Sequence, residues 1–555
     1  HGPEGTKIHC EATEDIGRTT VITRLQPEQT LRIVKYLAYG WSSRRSVPAL
    51  HDQVRAALAA AGYTGWDGLI AEQRRFLDEF WATADIEIDG DAELQQAVRL
   101  AVFHVLQAGA RAERRCIGAK GLTGEGYDGH TFWDTETFCL QVLSFLAPEA
   151  AADALRWRQS ILPLAQERAD QLGLKGAAFP WRTIRGQECS GYWPAGTAAF
   201  HINADIADAV RRHVAATGDL DFEREVGLEL LVATARLWRS LGHHDAKGEF
   251  RIDGVTGPDE YTAIVDNNVY TNLMAQLNLR VAAETAARHG RAAARLGVNS
   301  EEMASWRDAA ASMRIPYNEE LGVHPQCEGF TDHAVWDFEH TDEKMYPLLL
   351  HVPYFDLYRK QVCKQADLVL AMQLRPDAFS AEQMARNFAF YEAITVRDSS
   401  LSACTQAVVA AWTGHLDLAF DYLAEAALVD LNDLAGNSQH GVHIASMAGT
   451  WTAVVVGFGG MRCDSTGLRF APRLPPALSR LAFGLLWQGR QLRVTITADE
   501  VEYQLVSGPP MRLRHHGEPV ALAEEPEVRA IPAPDHIEPV EQPFGRTPRA
   551  RHPGS

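Results

Sequence analysis

Near its start the chain alternates β-branched and polar positions. "RTTVITRL" (18–25) and "TLRIVKYLAYGW" (30–41), separated by "QPEQ", predict strands. From Pro48 to Ala84 the apolar positions recur every three or four residues, in "ALHDQVRAALAAAG" and "GLIAEQRRFLDEFWATA", which predicts a connecting helical pair. Helical spacing then returns many times between about 90 and 455, for example in "LQQAVRLAVFHVLQAGAR" and "TQAVVAAWTGHLDLAFDYLAEAAL". No short fixed period links these segments, so a solenoid is not expected. After about 460 alternation resumes in "LAFGLLWQGRQLRVTITADEVEYQLVSG", a run of strands. From 524 the chain is dense in proline and charge, and disorder is expected there. The boundaries read from these shifts are 1–45, 46–85, 86–458, 459–523 and 524–555.

The predicted helices are separated by long polar loops rich in Trp, His, Gly and acidic residues, at 117–136, 182–203, 250–271 and 323–346. Loops of that length in a compact domain are usually functional. "GEGYDGHTFWDTETF" offers Tyr127, Trp133 and Asp134, and "RGQECSGYWPAGTAAFHINADI" offers Glu188 and Trp193. Aromatic faces beside carboxylates suit a polyhydroxylated ring, which stacks its CH face and hydrogen-bonds its hydroxyls. "VTGPDEYT" (255–262) sets Asp259 and Glu260 behind a Gly-Pro turn. "RDSSLS" (397–402) and "GNSQHGVHIASMAGTW" (436–451) gather hydroxyls, glycines and histidines that could cradle an oxyanion.

Composition narrows the classes. The chain has 555 residues, enough for more than one domain, and 46% hydrophobic with 23% charged residues marks an ordinary globular protein. A net charge of −19 argues against a nucleic-acid or anionic-membrane binder and leaves a neutral sugar open. Eight scattered cysteines with no CxxC pair give neither a zinc site nor a disulfide framework, and reduced thiols in a cytoplasm are expected. His243 and His244 are adjacent rather than three or four apart, so no metal site is expected. No apolar run is long enough to cross a membrane. The start "HGPEGTKIHC" lacks Met and any signal-peptide pattern, and reads as trimmed or internal.

Taken in order, "GYDGHTFWDTE", "YWPAGTAAFHINADI", "GVTGPDEYT", "KQADLVLA" (364–371), "DSSLS" and "GVHIASMAGTW" resemble glycoside hydrolase family 65, the maltose, trehalose and kojibiose phosphorylases and their hydrolytic relatives. The resemblance implies a mainly α fold: an (α/α)6 barrel catalytic domain, with remnant N-terminal β-sandwich strands, a helical linker and a small C-terminal β-sheet domain. Most of the family's N-terminal sandwich is missing, which suggests an internal fragment. A homodimer is a family expectation. By the same carry-over Glu260 is the general acid, and Trp133, Asp134, Lys364 and Gln365 hold the sugar; Glu188 and Trp193 are added as sugar-binding candidates from the aromatic and acidic content of their loop. Ser399, Ser400 and His443 hold phosphate, which acts as co-substrate, and no cofactor or metal is implied.

An inverting hydrolase needs a second carboxylate to activate water, whereas a phosphorylase need only position an anion that is already nucleophilic. The stretch between Asp433 and Asp464 holds no Asp or Glu, which favours phosphate. Phosphorolysis of an α-linked glucose disaccharide to β-glucose 1-phosphate is therefore expected. The alternatives are a hydrolase using Asp398 as base and an inactive sugar-binding homologue. "QCEGF" (326–330) and the loop to Tyr346 are candidates to line the acceptor subsite.

Overall fold

A computed structural model of the chain describes residues 3–40, 42, 45–110, 115–464, 467–533 and 537–551. It divides into two compact units, 1–82 and 83–555.

In the first unit Lys7–Ala12 and Gly17–Ile22 form an antiparallel hairpin. The strand expected over 30–41 does not form across its described residues, and Ile33 and Leu37 are exposed. Trp41 lies outside the described residues. The helical pair is present as Val47–Ala84, broken where Gly65 takes φ 72° and ψ 168°, a conformation open to a residue without Cβ.

The second unit is mostly helical. Six segments, Leu140–Leu146, His201–Thr217, Val269–Arg288, Asp367–Leu374, Ser402–Thr413 and Ile444–Thr452, contact one another in sequence order, and the last also contacts the first. They form a closed inner ring. Alternating with them along the chain are Ala92–Ala110, ahead of the first, and then Pro148–Ser160, Leu228–Leu241, Ser300–Ala311, Ala381–Glu392 and Leu416–Leu428, which pack outside. This alternation is the expected six-plus-six arrangement. Burial explains why each sequence takes its layer. All of Leu140–Leu146 and of Ile444–Thr452 is buried, as a helix walled on every side must be, while Ser300–Ala311 buries Trp306, Ala309 and Ala310 and leaves its acidic first turn in water.

Strands Arg480–Trp487, Arg490–Ile496 and Glu500–Ser507 form the predicted meander. Its first turn places Gln488 at φ 48° and Gly489 at φ 75°, the two left-handed positions that a tight hairpin requires. Ile86–Asp89, assigned from sequence to the helical domain, instead adds a strand to this sheet beside Arg480–Trp487.

The tail corrects the expectation of disorder from 524 onward. Glu527–Ala530 pairs with Glu500–Ser507, and residues 542–551 lie along the helical ring through named contacts. Low hydrophobicity is offset here by hydrogen bonds in both directions: Arg546 donates to the Val396 carbonyl and to Asp398, and Arg397 of the ring donates to the Thr547 carbonyl.

Candidate active site

The Gly-Pro turn owes its shape to a buried carboxylate network. Asp259, fully buried, accepts hydrogen bonds from the backbone N–H of Tyr261 (3.1 Å) and Lys364 (3.0 Å) and from Gln326 Nε2 (2.8 Å). Its own N–H donates to Asp367 Oδ1 (2.7 Å), whose other oxygen accepts from Asn268 Nδ2 (2.7 Å). Gln365 Nε2 donates to the Pro258 carbonyl (2.8 Å), so residues 257–261 are stapled to 364–367. Gly257 is needed because a Cβ there would overlap the Asp367 carboxylate and the Asn268 amide. Burial pushes Asp259 up to about 6 against its hydrogen bonds, and burial with Asp259 nearby raises Asp367 well above the usual carboxylate range.

The staple brings Glu260 to Lys364, with 2.9 Å between Oε1 and Nζ. Both side chains are partly exposed, at 25% and 17%. Burial lowers the Lys364 ammonium's pKa, but Glu260, Tyr127 and Asp259 outweigh it and the net shift is upward. Asp134 lies in the same electrostatic group. Burial, with Glu136 and Glu260 adding repulsion, raises it to about 7. It precedes a π-helical turn, Thr135–Cys139, that leads into the inner ring. Trp133 and Trp193 are 3% and 7% exposed, the first edge-on to His201 and the second donating Nε1–H to Tyr358 Oη (3.4 Å). Little open indole face remains for stacking.

Beside Lys364 opens a cavity of about 180 Å³ whose wall includes Tyr127, Ser399, Ser400 and His443. Two inner helices begin at it. Ser399 and Ser400 precede Ser402–Thr413, and His443 is the N-cap residue of Ile444–Thr452. Helix N-termini present unpaired N–H groups and a partial positive charge, both suited to an anion. His443 is fixed by buried Asp430, which accepts from its Nδ1 (2.7 Å) and its backbone N–H (2.6 Å). Nε2 is thereby left for a ligand. Ser402 Oγ donates to the Lys364 carbonyl (3.0 Å), tying this wall to the stapled turn. Arg397, at φ 56°, holds a backbone conformation costly for a side chain with Cβ, as strained residues at functional sites do.

Models for three domains match the chain: the glycosyl hydrolase family 65 N-terminal domain over 2–80, its central catalytic domain over 99–452 and its C-terminal domain over 461–522. The chain belongs to glycosyl hydrolase family 65. An uncharacterized glycosyl hydrolase of Mycobacterium tuberculosis is 59% identical over 98% of this chain and 70% of its own length. The α,α-trehalose phosphorylase of Geobacillus stearothermophilus is 45% identical over 83% of this chain, which spans 61% of that enzyme. A solved structure, a putative kojibiose phosphorylase from the human microbiome, superposes with a TM-score of 0.83 at 28% identity, over 89% of this chain and 74% of that one.

Within this family 65 site, the structure brings Trp133, Asp134, Glu260, Lys364 and Gln365 together, with Ser399, Ser400 and His443 at the adjoining cavity. Two other residues take different places, while Asp398 shares the cavity wall with its oxygens engaged. Glu188 turns inward, accepting from the N–H groups of Trp181 (2.8 Å) and Ser190 (3.1 Å), from the Ser190 hydroxyl, and from Arg168 (3.2 Å); it shapes its loop instead of facing a sugar. Gln326, proposed with its loop to line the acceptor side, is fully buried and spends its amide on Asp259 and Thr262. Asp398, the alternative base, is 2% exposed; Tyr261 Oη (2.6 Å) and Leu348 N–H (2.9 Å) occupy one oxygen and Arg546 (2.9 Å) the other. Sequence reading missed Asp430 and Arg546, neither of which lies in a motif with recognisable spacing, and gave Arg397 no role although "RDSSLS" begins with it. Among the described residues no cluster suited to a metal ion occurs, and no helix is long and apolar enough to cross a membrane.

Proposed function

We propose that the chain is an inverting α-glucoside phosphorylase, converting an α-linked glucose disaccharide and inorganic phosphate into β-glucose 1-phosphate and a free sugar. The observation that carries this reading is the cavity beside Lys364, built from two helix N-termini, Ser399, Ser400 and an aspartate-held His443. It suits a tetrahedral oxyanion better than a lone water.

In this reading Glu260 gives its proton to the glycosidic oxygen as the C1–O bond breaks. A phosphate oxygen forms the new bond to C1 from the opposite face, inverting the configuration. Lys364 Nζ sits 2.9 Å from Glu260 Oε1, so a phosphate or sugar hydroxyl that takes up the ammonium would free this carboxyl to face the glycosidic oxygen. Asp134, poised to about 7, can donate to or accept from a sugar hydroxyl near neutral pH. Hydrolysis would need a carboxylate free to activate water, and Asp398 has both oxygens engaged.

Similarity to α,α-trehalose phosphorylases, 45% and 41% identical, exceeds that to maltose and kojibiose phosphorylases, at 35% and 33%, which makes trehalose the first substrate to test. Trehalose, maltose, kojibiose and nigerose should be assayed with and without phosphate, measuring glucose and β-glucose 1-phosphate separately. Sugar phosphate formed only when phosphate is present supports the proposal. Equal glucose release without phosphate would make the chain a hydrolase, and sugar binding without any turnover would make it an inactive homologue.

A further inference from the structure

The residues from Gln542 to Arg551 lie beyond all three matched family segments, the last of which ends at 522. They nonetheless form an arm anchored at successive points on the helical ring. Gln542 Nε2 donates to Glu392 and to Tyr422 (both 2.8 Å). Arg546 donates to the Val396 carbonyl and Asp398, with its guanidinium 4.2 Å from the Tyr346 ring centre. Arg397 donates to the Thr547 carbonyl (2.7 Å), and Asn432 to that of Arg551 (2.8 Å). Between these anchors Arg549 reaches the wall of the anion cavity.

Charge gives the arm a role. Without it, the charged residues in the cavity wall cancel, Lys364 and Arg397 against Asp398 and Glu425, and Glu260 further occupies Lys364. The charged side chains of such a wall give a dianion no net attraction, leaving only the helix N-termini and hydrogen-bond donors. The arm changes this twice, with Arg546 neutralising Asp398 and Arg549 adding a cation to the wall itself. Arg549's backbone N–H also holds Glu425 (2.8 Å). Its guanidinium is loosely committed, 4.0 Å from Glu425 and 3.4 Å from the Leu434 carbonyl, and its side chain is 39% exposed. A guanidinium so placed can turn to a phosphate oxygen at small cost.

We infer that the C-terminal arm completes the anion site, with Arg549 as a further phosphate-binding residue and Arg546 as the positioning residue that keeps Asp398 from repelling the anion. The inference rests on the phosphorylase reading. The test uses the full chain, Arg549→Gln, Arg549→Lys and Arg546→Gln, with inorganic phosphate as the probe in calorimetry and in turnover of the disaccharide that proves active. Arg549→Gln should raise phosphate Kd and KM about tenfold or more, a loss of about 1.4 kcal/mol, while the disaccharide KM moves less than about twofold. Arg549→Lys should recover part of this loss. Arg546→Gln should weaken phosphate in the same sense, and its folding is checked by circular dichroism and thermal melting. Unchanged phosphate KM in a folded Arg549→Gln variant, with wild type still phosphate-dependent, overturns the arm's role and leaves the phosphorylase reading intact. Failure of wild type both to bind phosphate and to use it overturns both.

Discussion

Replacing Glu260 by glutamine keeps the shape of the side chain and removes the transferable proton. General acid catalysis contributes about 10²- to 10⁴-fold, so the barrier should rise by about 2.7–5.5 kcal/mol. The ground state should change far less. The partner ammonium 2.9 Å away loses an ion pair that is partly exposed on both sides, and such pairs are worth about 1 kcal/mol or less. A disaccharide KM within about fivefold of wild type is therefore expected, beside a kcat at least a hundredfold lower. The decisive assay adds α-glucosyl fluoride, whose leaving group needs no proton. On that substrate, with phosphate present, the Gln variant should remain within about tenfold of wild type. A variant that keeps more than about a tenth of its disaccharide kcat, or that loses as much on the fluoride as on the disaccharide, would refute the assignment of Glu260 as the acid.

Other expectations follow from the same site. Asp134 is raised to about 7 from an ordinary 3.8, so the folded protein holds an extra proton between these values and its stability falls as pH rises through that window, by at most about 4 kcal/mol. Asp134→Asn should abolish turnover and show a melting temperature that gains on wild type from pH 4.5 to pH 8; a difference that stays flat over that range refutes the argument. Asp430→Asn removes the carboxylate that fixes the His443 imidazole, and should raise phosphate KM about tenfold while sparing the disaccharide KM. Equal effects on both constants would point to general damage instead of a displaced imidazole.

Periodicity and burial explain why so much of this was readable. Inner helices such as Leu140–Leu146 and Ile444–Thr452 are apolar or small around nearly their whole circumference and the outer ones on one side, and both patterns survive in a single sequence. Motif order brought out Lys364, Ser399 and His443, which lie where a loop meets an inner helix, and Glu260, which lies in the turn stapled to one. The failures share a different cause. Glu188 and Gln326 look like surface ligands in a loop string, and only three-dimensional contacts reveal that their polar atoms are consumed by backbone N–H groups and by Asp259. The arm was misread because composition measures how much apolar surface a segment can bury, and this one is held by arginines donating to carbonyl and carboxylate oxygens of the ring. Residues 30–40 failed in the opposite sense: β-propensity reflects packing on a half-buried pleated surface, and Ile33 and Leu37 find no such burial here.

The closure of the inner ring carries a consequence for how the chain folds. The seam is made late: Val442 N–H meets Thr123 Oγ1 across 319 residues, and the helix Ile444–Thr452 packs on Leu140–Leu146. During synthesis the earlier helices can form local pairs, but the last wall, with His443 at its head, is supplied only after nearly the whole ring has emerged. The nascent chain therefore passes through a stage in which the stapled acid turn already exists while the first helices still expose the apolar faces that Ile444–Thr452 will cover. Contacts of such long sequence separation form slowly, which makes this open ring the species most exposed to aggregation. Catalytic competence can arrive only after the seam shuts and the anion cavity has its walls.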